Sequence, residues 1–380
     1  MNLAIRDVTL YPVTTPRLYG MPSQHIMIKL DGAGTSGWGE MSDLSHLPAM
    51  MPDVRDLECC LRALLIGRDP IDTNGIEDLM LANFPGTRFY GKACLVRAGI
   101  SIAAHDLKAR ILGIGISDLL GGARRTKIPV CYPIFRLTGR AEVAERCDLV
   151  KRQLDSGFAR FRFYFGPDTD TDEAFLETIF ERYGGLIQLI ALDGSGLFTV
   201  PGFLRAYRRL CRFPFQMVES PVHRDDVDSI AEARRAIDHP ISEHVESPEY
   251  AVRLIRARAV DIFNISVTVA GGIEGMLRLF ALADSANIEC LVGTTQELSV
   301  ATAAQAHVAA VARRLDYPSD PVGPALYCGD ITREPVRYEC GELLVPEGPG
   351  LGVEVDFEKV QAMAMPLSAM QDAISSFSRG

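Results

Sequence analysis

A closed α/β barrel carrying an α+β cap is the fold class this sequence predicts, on three observations. The chain has 380 residues, room for one barrel-sized unit and an accessory domain. Its periodicity changes once: strand and then helix patterns fill residues 1–125, and after Pro129 short apolar runs alternate with amphipathic stretches. Those runs recur at the interval of a βα unit, with strand ends near 162, 193, 219 and 243 lying 31, 26 and 24 residues apart.

Leu3–Val8, His25–Leu30 and Gly37–Glu40 alternate apolar with polar or small residues around an Asp31-Gly32 turn, which predicts a three-stranded antiparallel meander. From about 53 to 121 the apolar spacing is helical, as in Ile100, Ile102, Leu107, Ile111 and Leu112, and it ends at Gly121-Gly122. Strands are then expected near 130–134, 159–164, 187–193, 215–219, 240–243, 260–265 and 288–292, so that seven or eight βα units fill residues 126–345. Residues 346–380 begin with a turn-rich pattern, Gly348-Pro349-Gly350-Leu351-Gly352, and are expected to pack back on the cap.

Composition narrows the function. Hydrophobic residues make up 47% and charged residues 23%, as in a chain with a sizeable core. The net charge of -10 and the lack of a basic block argue against nucleic acid as a partner. No apolar run approaches the roughly 18 residues that span a bilayer. The first ten residues read as a strand and not as an export signal, and nine cysteines without a CxxC pair read as reduced thiols, so a cytoplasmic protein is expected.

Polar residues at the C-terminal ends of barrel strands face the mouth of such a fold. Three successive apolar runs here end in an acid: Leu189–Asp193, Phe215–Glu219 and Pro240–Glu243. A single acid after a strand ordinarily caps the next helix. Three converging acids would repel one another without a cation, and oxygen-only ligation suits a hard divalent ion such as Mg2+. Glu246 is the other candidate for the third ligand, but Glu243 directly follows its apolar strand. His244, next along that strand, is expected to face away.

These acids stand in a longer series of segments: Gly37-Trp38-Gly39-Glu40, Ala103–Lys108 running to Gly121-Gly122, Glu219-Ser220-Pro221, Val260–Ile265, Ala270–Ile273, Val292–Glu297 and Gly348–Gly352. In order and spacing the series resembles the enolase superfamily, and within it the branch of mandelate racemase and muconate cycloisomerase. The resemblance covers nearly the whole chain. It implies a (β/α)7β TIM-like barrel under an α+β cap, Mg2+ on Asp193, Glu219 and Glu243, and removal of the proton alpha to a substrate carboxylate. It also implies a homo-oligomer acting on a small-molecule carboxylate.

The chain departs from that branch at its bases. Where the second barrel strand of relatives usually ends Lys-x-Lys, this one carries Arg162 and Tyr164, and Ser266 stands where the sixth strand carries another Lys. Tyr164 is expected to act as a phenolate base if Arg162 and the metal lower its pKa, and Arg162 also suits a carboxylate clamp. Glu297 is expected in a substrate or proton-shuttle role, and His223, on the loop after Glu219, as an acid. Ser266 and Thr294 at strand ends, with His25 and His46 on the cap loops 17–24 and 42–51, are expected to contact substrate. One-sided base chemistry favours elimination of a β-hydroxyl from a hydroxy acid such as a sugar acid. A cycloisomerase or epimerase, or a metal-binding relative without activity, is the alternative.

Overall fold

The computed structural model describes residues 3–42, 44, 53–87, 89 and 91–365. Its cap opens with β1 (Ile5–Thr15), β2 (Ser23–Gly32) and β3 (Thr35–Met41), an antiparallel sheet in the order β1-β2-β3. Helices α1 (Val54–Leu65), α2 (Thr73–Asn83) and α3 (Lys92–Leu112) follow, then the single turn α4 (Ile116–Leu119). The helical stretch expected to run on to Gly121 breaks earlier, because Gly113 takes a left-handed conformation (φ 71°) and closes α3. Strand β3 lies directly on α3, and a Cβ at Gly39 would run into the Gly99 carbonyl. This close approach is what the Gly-Trp-Gly segment provides.

Beyond it, β4 (Lys127–Pro129) leads into a seven-stranded parallel sheet of β5 (Tyr132–Ile134), β6 (Arg160–Tyr164), β7 (Gln188–Asp193), β8 (Phe215–Glu219), β9 (Ile241–His244), β10 (Ile262–Ile265) and β11 (Glu289–Val292). Helices α5 (Val143–Asp155), α6 (Thr169–Tyr183), α7 (Val200–Leu210), α8 (Val227–Arg235), α9 (Pro248–Ala257), α10 (Ile273–Ala286) and α11 (Ser299–Val311) alternate with them. The segment 316–320 closes the ring. Asp316 and Asp320 donate their amides to Cys290 and Val292 on one side, and Cys131 N–H donates to the Ser319 carbonyl at 2.8 Å on the other. The expected (β/α)7β barrel is therefore the observed one.

The C-terminal segment returns to β4 through β12 (Tyr338–Glu339) and β13 (Glu342–Leu344), and ends with α12 (Phe357–Ala362) against β1, where Met365 N–H donates to the Pro12 carbonyl. Asp106 on α3 ties three of the sequence segments together. Its carboxylate accepts the Trp38 amide at 2.8 Å, the Leu351 amide at 2.8 Å and the Arg110 side chain. All nine cysteines are free thiols. Among the described residues no helix is long and apolar enough to cross a membrane.

Candidate active site

Side chains in a strand alternate between two faces, so the barrel interior fixes which residues reach the mouth. Cys131, Ala191, Met217, Ile262 and Leu291 form a small apolar cluster apart from the main core, and this cluster floors the barrel. Two residues further along three of those strands stand Asp193, Glu219 and Asn264. On β6 the same phase brings in Arg162, and on β9 it brings in Ser242 and His244, both bonded to Glu219.

Glu219 is the hub. Its Oε1 accepts from Arg162 Nη1 at 2.8 Å and from Asn264 Nδ2 at 3.1 Å, with His244 Nε2 also at 3.1 Å. Its Oε2 accepts from Ser242 Oγ at 3.0 Å and from Asn264 Nδ2 at 3.1 Å. The same Arg162 Nη1 lies 3.7 Å from Asp193 Oδ2, and Nη2 pairs with Asp320 on the closing segment. Burial alone would raise the pKa of Glu219, but Arg162, His244 and Asn264 reverse that and hold it below the usual carboxylate range. Burial pushes Asp193 and Asp320 up, and Glu219 adds repulsion to both. Burial opposes charge on His244, yet Glu219 and Glu243 outweigh it and raise the imidazole.

The donor set expected for Mg2+ does not assemble. Asp193 and Glu219 meet, but Glu243 faces the other side of β9, where its Oε1 accepts from Ser220 Oγ and from the His244 amide, each at 2.9 Å. Burial pushes Glu243 up to about 7, against the pull of nearby Arg224. The phase of β9 is thus the reverse of that expected: His244 looks in and Glu243 looks out. Every contact on Glu219 comes from a nitrogen or hydroxyl donor, and the His244 imidazole on β9 is a poor partner for a hard ion. Among the described residues no three His, Cys, Asp or Glu side chains are placed to hold a metal ion. The residues present therefore do not fit Mg2+.

Arg162 and Tyr164 do reach the mouth together, as expected. With Phe135, Thr294, Gln296 and Asp320 they line a narrow cleft of about 10 Å³. The Tyr164 ring lies 5.4 Å from that of Phe135. Burial and the charge of Asp193 push the phenol well above its ordinary value, and Arg162 does not offset them. Tyr164 therefore rests as a neutral phenol, a proton donor, and not as the phenolate base expected.

Other predicted residues take different places. Glu297 is fully buried, accepting the Thr295 amide at 2.8 Å and the hydroxyls of Thr295 and Thr294 at 2.7 and 2.6 Å. That network, joined to the cap through Ser42 and Thr295, leaves Glu297 supporting the loop after β11 and not touching the cleft. Thr294 lines the cleft while its hydroxyl holds Glu297. Ser266 is buried, with its hydroxyl accepting the Val269 amide. His223 is exposed on the loop after β8. His25 lies on strand β2, not in a loop, and its Nδ1 meets Glu40 Oε1 at 2.9 Å, with both side chains buried. His46 lies outside the described residues.

Sequence reasoning missed Asn264, Asp320 and Arg224. Asn264 was legible two residues before Ser266 on the same strand face. Asp320 follows no strand-like pattern. Arg224 pairs with Glu246 at 2.5 Å and stacks on the rings of Phe89 and Tyr250, 4.1 and 4.9 Å from their centroids.

A cap over a (β/α)7β barrel with acids ending the third and fourth barrel strands defines an enzyme of the enolase type. The family model described as enolase C-terminal domain-like matches residues 145–360, and that of the mandelate racemase / muconate lactonizing enzyme N-terminal domain matches residues 4–121. The chain belongs to the mandelate racemase / muconate lactonizing enzyme family of the enolase superfamily. It is 27% identical over 377 residues to the chloromuconate cycloisomerase of Pseudomonas putida, covering 95% of this chain and 98% of that protein. The N-succinyl-L-Arg/Lys racemase of Bacillus cereus is 28% identical over 349 residues, 91% of each chain. The crystal structure of muconate lactonizing enzyme from Pseudomonas fluorescens complexed with muconolactone superposes with a TM-score of 0.86 at 25% identity, covering 96% of this chain and 100% of that one. The chain is an enzyme of this superfamily, whose shared chemistry turns on the proton alpha to a carboxylate.

Proposed function

We propose that the enzyme is a cycloisomerase of a small unsaturated dicarboxylate, and that Tyr164 delivers the single proton the reaction needs. The observation that carries this reading is the neutral phenol of Tyr164 in the cleft beside Arg162, while Ser266 and Glu297 are turned into a turn and a hydroxyl network. In the reaction one substrate carboxylate oxygen adds to the substrate's own carbon–carbon double bond. The π pair passes to the carbon alpha to the second carboxylate, spreading charge onto that group. Tyr164 Oη–H protonates the carbon, and the phenolate recovers its proton from solvent, leaving a lactone. The Arg162 guanidinium, fixed beside the phenol, supplies positive charge where the enediolate forms.

Racemisation would require acid and base on both faces of the carbon, and the dehydration expected from the sequence would require a resting base. Tyr164 offers an acid on one face. Cycloisomerases and a racemase among the relatives also favour isomerase chemistry over dehydration. The test is turnover of cis,cis-muconate and substituted muconates followed by absorbance. Lactone formation is expected, and Tyr164→Phe should slow it by ~100- to 10,000-fold with the fold intact, the ordinary worth of a general acid. Turnover unaffected by that substitution would contradict the assignment.

A further inference from the structure

We propose that the guanidinium of Arg162 occupies the place of the divalent ion at the head of this barrel, so that the site is built around an internal cation. This rests on the geometry of the acids and not on the cycloisomerase reading.

Arg162 comes from β6 and reaches acids on three separate elements: Glu219 on β8 at 2.8 Å, Asp193 on β7 at 3.7 Å, and Asp320 on the closing segment. All four side chains are buried. A metal on Asp193 and Glu219 would stand within a few ångströms of this permanent positive charge, since an arginine in a protein does not shed its proton as a lysine can. The carboxylate that would bind it is engaged on both oxygens, by Arg162, His244 and Asn264 on one and by Ser242 and Asn264 on the other. Strand β9 offers the His244 imidazole inward, and its acid, Glu243, is bound outward by Ser220. Glu219 therefore has both oxygens occupied, the strand after it turns an imidazole and not a carboxylate toward it, and a fixed cation already stands beside it. In the place of a divalent ion the guanidinium supplies one fixed positive charge at the junction of the acids.

The test uses the purified full-length chain after dialysis against EDTA, with Mn2+ as the probe, read by electron paramagnetic resonance and by calorimetry. No saturable binding at millimolar Mn2+ is expected, and the thermal midpoint should be the same in EDTA as in excess Mg2+. One equivalent of bound Mn2+ that disappears in Glu219→Gln would overturn the proposal. A second measurement compares Arg162→Met with the parent in EDTA. Its midpoint should fall by several degrees, or the variant should fail to fold, because the acids lose their counter-charge. An unchanged midpoint would show that the acids are not organised around this guanidinium.

Discussion

Glu219 owes its charge to its neighbours: in a buried position a lone carboxylate would hold its proton, and here Arg162 and Asn264 hold it ionised. Removing one partner of such a pair leaves an uncompensated buried charge. Glu219→Gln should therefore lower the unfolding free energy in urea by about 3–5 kcal/mol, well beyond the effect of a surface acid. Asp172 shows the opposite shift. Burial lifts it to about 7, although the Gly166 amide donates to Oδ2 at 2.8 Å. A carboxyl raised in the folded state binds its proton more tightly there than in the unfolded chain. Its favourable contribution is complete below the ordinary carboxylate range and is lost as pH rises through about 7. Asp172→Asn keeps an acceptor for Gly166, so stability measured against pH should fall less steeply across that window than in the parent.

At the scale of elements, α11 has Leu298 at its N-cap and no side-chain cap of its own, and Glu40 from β3 accepts the amides of Leu298 at 2.7 Å and Ala301 at 2.9 Å. The cap domain thus closes a barrel helix, and the His25 pair fixes the carboxylate that does it. Glu40→Ala should cost about 2–4 kcal/mol by denaturant titration, the loss of a helix cap together with the loss of a buried hydrogen bond to His25. A shift no larger than a surface substitution would contradict this role. At Gly293 an added Cβ would meet the Asn264 amide, one of the contacts on Glu219. Gly293→Ala should cost about 1–3 kcal/mol by overpacking.

The elements also show where sequence reading stops. Asp193 and Glu219 were legible because each ends a largely apolar strand whose direction is fixed by the barrel. The β9 strand is Ile-Ser-Glu-His, only four residues, and its composition does not set which face is inward. Its phase is decided by the neighbouring strands, through Ser242 and His244 on Glu219. A one-residue error there exchanges Glu243 for His244 and with it the expected metal ligand.

For the molecule as a whole, the βα rhythm and the change of period after Pro129 were enough to read a capped barrel, since both follow from short-range patterns. Asp320 was not readable. It sits on a segment, Asp-Tyr-Pro-Ser-Asp-Pro, that becomes part of the barrel only through backbone hydrogen bonds to β11 and to Pro129 and Cys131 just before β5, made when the ring closes. The turn-rich run before His25 likewise hid the start of β2, which the pairing with β1 determines.

The central claim is that one phenol delivers one proton to one face of the substrate. The most direct measurement is proton NMR of the product formed from muconate in D2O. A lactone carrying a single deuterium at one diastereotopic position alpha to the carboxylate, with no label in recovered muconate, is the predicted result. Deuterium distributed over both positions would require proton transfer from both faces, and would contradict the account.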